Sequence, residues 1–142
     1  CNHRESVERV GEYLRKMKMY CEVFHGGMGQ DERERALYKF RNGSCPVLVS
    51  TDLAARGLDI PEIKNVVHYH LPVSEDSFIH RNGRTARWEN EGNAYVLAYQ
   101  EEALPSYLPE DALEDYELPG SVSLPPLPEF VTLYIGKGKK TR

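Results

Sequence analysis

The chain has 142 residues, 40% hydrophobic and 28% charged, with a formal net charge of −4 and a mean hydropathy of −0.58. That length suits one compact core, because chains divide into separate cores only well above it. The composition excludes collagen-like and wholly disordered classes, and with no run of about 18 apolar residues no membrane-spanning segment or membrane partner is expected.

Charge is unevenly spread along the chain. Through residue 100 the 14 basic and 14 acidic side chains balance, residues 101–130 hold eight acids and no Lys or Arg, and residues 131–142 hold four basic residues and no acid. Any nucleic-acid surface must therefore be local to the first hundred residues. The chain opens on polar residues without Met and without the apolar stretch of a signal peptide, which reads as a piece of a longer protein. Its three cysteines, Cys1, Cys21 and Cys45, form no C-x-x-C pair, so reduced thiols and a cytoplasmic location are expected.

Residues 5–18 place Val7, Val10, Leu14 and Met17 at spacings of 3, 4 and 3, the apolar stripe of an amphipathic helix. A short strand over 20–24 follows and stops at His25-Gly26-Gly27, where two glycines allow a turn. A second helix is predicted over 30–42, with Ala36, Leu37 and Phe40 facing inward and Gly43 as its stop. Residues 46–50 are apolar through their interior, as suits a strand buried on both faces of a parallel sheet, with chemistry at its carboxyl end. Residues 65–69 repeat that pattern, 74–87 read as a helix, and 92–99 as another strand. Strands alternating with helices predict an α/β fold with an open parallel sheet flanked by helices.

Periodicity fails beyond residue 100. Six of the nine prolines fall in 101–130 beside the eight acids, a linker composition, although Leu104, Tyr107, Leu108, Tyr116, Leu118 and Leu127 predict that part of it packs along the domain. Residues 130–136 read as a strand opening a further, truncated segment.

Two segments carry the chemistry. In His80-Arg81-Asn82-Gly83-Arg84-Thr85-Ala86-Arg87 the arginines recur every three residues, so on a helix Arg84 and Arg87 would share a face and aim two planar forks at one anion. A solvated basic face paired with Glu75, Asp76 and Glu89 fits the same spacing. The second segment, Ser50-Thr51-Asp52-Leu53-Ala54-Ala55-Arg56-Gly57-Leu58-Asp59, follows a buried strand where α/β sheets bind ligands, and Asp59 could reach a ribose hydroxyl. An ordinary helix cap and turn remains the alternative there.

Together these segments resemble motifs V and VI of superfamily 2 helicases, and specifically the C-terminal RecA-like domain of DEAD-box RNA helicases. Gln30-x-x-Arg33 after His25-Gly26 is similar to motif IVa and Cys1-Asn2 to the end of motif IV, so the resemblance covers about residues 1–100. It implies a second RecA-like domain over 1–100 lacking its first strand, an acidic Pro-rich linker or packed extension over 101–130, and the start of another segment over 131–142. The missing strand would leave an open edge and marginal stability.

The resemblance also implies roles. Arg84 and Arg87 would be arginine fingers toward the γ-phosphate of ATP, which is held, with Mg2+, mainly by the N-terminal RecA-like domain of the same protein. Gly57 and Asp59 would line the nucleotide, with Asp59 on the ribose, and His80 would couple that site to the partner domain. Gln30, Arg33, Thr51 and Gly26 would contact the backbone of single-stranded or duplex RNA. His3, His70, Phe78, Asn82 and Trp88 depart from the residues common in the family. No phosphate-binding G-x-x-x-x-G-K-[ST] loop or D-E-A-D run occurs, so an RNA-stimulated ATPase is expected of the full-length protein and no hydrolysis from this part alone. His25, His68, His70 and His80 lack metal-ligand spacing, and no metal site is expected. A superfamily 2 DNA translocase or repair helicase, and a non-catalytic interaction module using the acidic tail, are the rival readings.

Overall fold

The computed structural model describes residues 1–52, 63–85, 92–99, 103–108, 113–115 and 131–137, the last two stretches and Tyr99 by their backbone alone. The chain divides into two compact units, Cys1–Pro61 and Glu62–Arg142.

In the first unit, helix α1 (Arg4–Lys16) and helix α2 (Gln30–Arg41) pack against a parallel pair, β1 (Cys21–Phe24) and β2 (Val47–Ser50), registered from Cys21↔Val47 to Phe24↔Ser50. The predicted stripe of α1 supplies its core. Val7 is wholly buried with Cys21, Val23 and Val49, and Val10 and Leu14 pack against them. Met17 instead is 53% exposed, because α1 stops at Lys16 and Lys18 turns the chain through a left-handed φ of 59°, ending the helical spacing before Met17 can reach the core. Of β2 only Val49 is buried, with Val47 and Leu48 half-buried, so the strand is less enclosed than its apolar run predicts. Helix α2 buries Ala36 and Leu37, and Gly43, at φ +78°, makes the left-handed turn that follows it.

One polar tie joins β1 to α2. Glu22 accepts from Lys39 Nζ at 2.7 Å and from Tyr20 Oη at 3.0 Å. Burial pushes its carboxyl up, but these two hydrogen bonds outweigh burial and hold it below the usual carboxylate range. A carboxyl depressed in the folded state stabilises fully above its ordinary value and less as pH falls through the depressed one. The melting-temperature gap between wild type and Glu22→Gln is therefore expected to be open at neutral pH and to close as pH falls through the carboxylate range; a gap that persists in acid contradicts the assignment.

The second unit orders its strands β3 (Asn65–His68), β4 (Asn93–Tyr99), β6 (Val131–Lys137) and β5 (Leu113–Asp115) across one sheet. β3 and β4 run parallel, as the alternation of elements predicts, whereas β6 is antiparallel to β4 and to β5. The strand expected at 130–136 forms as β6 and pairs along the whole of β4. Ala94, Val96 and Ala98 alternate into the core. In β3 the pleat turns Val67 outward, 57% exposed, and His68 inward, fully buried.

Helix α3 (Glu75–Asn82) begins at Ser74, whose Oγ accepts from the Ser77 N–H. It ends five residues before the predicted stop at 87. After Asn82 the Arg84 and Thr85 amides turn back to the carbonyls of Arg81 and Asn82, and the strand lead-in holds the turn: Ile63 N–H donates to Arg84 O at 3.0 Å and Thr85 Oγ1 to Lys64 O at 3.1 Å. No helix among the described residues is long and apolar enough to cross a membrane.

Candidate functional site

In the first unit the paired strands β1 and β2 end together, and the predicted residues emerge from those ends. Beyond β1, buried His25 sets the turn: its Nδ1 accepts from the Gly27 N–H at 3.1 Å, so its Nε2 carries the proton and donates to Glu8 at 2.6 Å. Gly26, at the exposed crest, has open space where a side chain would stand. Helix α2 starts four residues later, at Gln30, with Glu32 accepting the Gly29 N–H at 3.1 Å. Its first turns carry Gln30 and Arg33, joined by Arg33 Nη2 donating to Gln30 Oε1 at 2.7 Å, while Gln30 donates to Glu34 at 2.9 Å. Arg33 Nε is buried without a hydrogen-bond partner. Beyond β2, half-buried Thr51 donates its N–H to Phe24 O at 3.3 Å. Gly26, Gln30, Arg33 and Thr51 therefore lie at one end of the unit, a polar set of amide, guanidinium and hydroxyl suited to phosphate oxygens.

In the second unit His80 is exposed on the last turn of α3, and Arg81 Nη1 donates to His70 O at 2.6 Å, tying the helix to the loop after β3. Arg84 is half-buried and stands in the turn beyond the helix, so the expectation that the helix carries it is corrected. The competing hydrogen bonds from Ile63 and to Lys64 are the cause. Arg87, Gly57 and Asp59 lie outside the described residues. Among the described residues no three His, Cys, Asp or Glu side chains are grouped to hold a metal ion, and Cys21 and Cys45 are buried free thiols, that of Cys21 pushed up by burial.

Sequence reasoning missed a cluster behind Arg84. His68 Nε2 lies 2.8 Å from Asn82 Oδ1, the His68 ring stacks on Phe78 at 5.0 Å, and Phe78 meets Tyr107 at 5.4 Å. Tyr107 Oη donates to Pro72 O, burial pushes its hydroxyl up, and Leu108 beside it is 4% exposed. The available signal was that Phe78 and Asn82 both depart from the family pattern and stand four apart, on one helix face.

Residues 1–89 match the helicase conserved C-terminal domain. The ATP-dependent RNA helicase MAK5 of Eremothecium gossypii is 44% identical over 112 residues, 73% of this chain but 15% of that protein's length. Among solved structures, the yeast DEAD-box splicing factor Prp28 aligns with a TM-score of 0.64 and 37% identity, covering 68% of this chain and 21% of that one. S. cerevisiae Dbp5 bound to RNA and ADP BeF3 aligns with a TM-score of 0.61 and 31% identity, covering 68% of this chain and 26% of that one.

Proposed function

This chain belongs to the helicase conserved C-terminal domain family, in the DEAD-box branch of superfamily 2, and from that footing we propose that it is the second RecA-like domain of an ATP-dependent RNA helicase. The observation that carries the reading is that the family match over residues 1–89 takes in every residue of the two candidate segments.

In this reading the N-terminal RecA-like domain of the same protein holds ATP and Mg2+, and the present domain completes the site when the two close. Arg84 and Arg87 reach the γ-phosphate and neutralise charge that develops as its bond to the leaving oxygen breaks; a guanidinium suits this because it stays charged and donates in a planar fork. The hydrogen bonds from Ile63 N–H to Arg84 O and from Thr85 Oγ1 to Lys64 O support the role, since a finger contributes most when its position is set before the reaction. Gly57 and Asp59 line the nucleotide, Asp59 accepting from a ribose hydroxyl, and exposed His80 faces the partner domain and relays closure. Gly26, Gln30, Arg33 and Thr51 grip the sugar-phosphate backbone of RNA, which fixes register without reading bases.

Separation of a short RNA duplex bearing a single-stranded extension tests the proposal in the full-length protein. ATP is expected to drive separation and ADP to fail, with a DNA duplex of the same sequence a poor substrate. Equal separation of the DNA duplex would move the assignment to a DNA translocase, and no separation of either would sink it.

A further inference from the structure

We propose that Asn82 is a positioning residue for Arg84, acting through buried His68; the inference rests on the arginine-finger reading above. The two segments that hold the Arg84 turn are the two ends of β3. At its entrance Ile63 N–H binds Arg84 O and Lys64 O accepts from Thr85 Oγ1. At its exit His68, fully buried, presents Nε2 at 2.8 Å to Asn82 Oδ1. An amide oxygen can only accept, so the His68 ring donates. Asn82 closes the circuit, because its own carbonyl receives the Thr85 N–H at 3.0 Å. Arg84 is thus strung between two anchors on one strand, and the side chain of Asn82 makes the second anchor.

The neighbours make that anchor specific. Phe78, one turn back on α3, lies nearly parallel to the His68 ring at an interplanar angle of 28°, so the same helix face holds the imidazole by its plane and by its nitrogen. Tyr107 backs Phe78 and bonds Pro72 O, which fixes the loop between β3 and α3. An apolar residue at position 82 would fill the space but remove the acceptor from a buried N–H, and the end of α3 would be free to shift relative to β3. A finger displaced by a fraction of an ångström still lets nucleotide bind but stabilises the transition state less.

The test uses the full-length protein and reads ATP turnover at saturating RNA together with hydrogen exchange at the Ile63 amide. Asn82→Leu and the smaller Asn82→Ser are expected to lower kcat by about 10- to 100-fold with KM for ATP and RNA affinity unchanged. Both should speed Ile63 exchange. Asn82→Asp, whose carboxylate accepts from the same ring N–H, should restore kcat and exchange protection. Should Asn82→Leu fail to fold, Asn82→Ser decides: a folded variant with wild-type kcat and wild-type Ile63 exchange overturns the proposal. If wild type itself shows no RNA-stimulated turnover, the helicase reading falls, and faster Ile63 exchange in Asn82→Ser still shows the clamp while unchanged exchange removes it.

Discussion

Arg84→Ala in the full-length protein is expected to lower RNA-stimulated ATP turnover by about 10³- to 10⁵-fold, the range over which arginine fingers act in other nucleotide hydrolases. That corresponds to roughly 4–7 kcal/mol of lost transition-state stabilisation, more than a surface ion pair could supply. Arg87→Ala should behave alike, while ATP and RNA still bind, since the N-terminal domain holds the nucleotide and the RNA set lies on other residues. Arg81 provides the contrast. Its guanidinium already donates to His70 O, so Arg81→Ala should loosen α3 and lower the melting temperature without the same direct loss of transition-state charge. Turnover within a few-fold of wild type in Arg84→Ala would return the arginine run to a solvated basic face.

Gly11→Val carries the largest expected effect on stability. A glycine inside α1 costs about 1 kcal/mol against alanine in helix propensity, which by itself predicts that any side chain there would help. Packing reverses the sign. A Cβ on Gly11 would lie 2.5 Å from Val23 Cγ1, inside the core formed with Val7, and the carbonyl of Gly11 also accepts from Cys21 Sγ. Forcing β1 away from α1 costs about 1–3 kcal/mol for overpacking, and a β-branched side chain regains little propensity. The expected result is a fall in melting temperature of several degrees, on the order of 2–4 °C per kcal/mol for a chain of this size, with Gly11→Ala less affected. A melting temperature equal to wild type would mean that β1 can withdraw without loss.

Most of the first unit was legible from apolar spacing. Val7, Val10 and Leu14 on α1, Ala36 and Leu37 on α2, and the parallel pairing of β1 and β2 all follow from the period of the pattern, because each apolar face had one sheet to cover. What was illegible came from competition between local and distant bonds. Nothing in the arginine run shows that Ile63 will take the carbonyl of Arg84, and Lys64 the hydroxyl of Thr85, out of the helix. His68 read as one residue of an apolar strand, and only the pleat, with Val67 outward, places it inside where it needs the acceptor on Asn82. The strand Leu113–Asp115 was hidden by two acids in three residues, which depress strand propensity, and it forms by pairing antiparallel with β6. Gly26, Gln30, Arg33 and Thr51 were recognisable as a set, whereas their common position depends on β1 and β2 ending in register, which spacing alone does not show.

In the proposed reading this domain makes ATP hydrolysis depend on RNA, which the steady-state ATPase rate of the full-length protein reads out without nucleic acid, with single-stranded RNA, and with DNA of the same sequence. The account predicts strong stimulation by RNA of any base sequence and little by DNA; equal stimulation by DNA, or a rate indifferent to both, contradicts it.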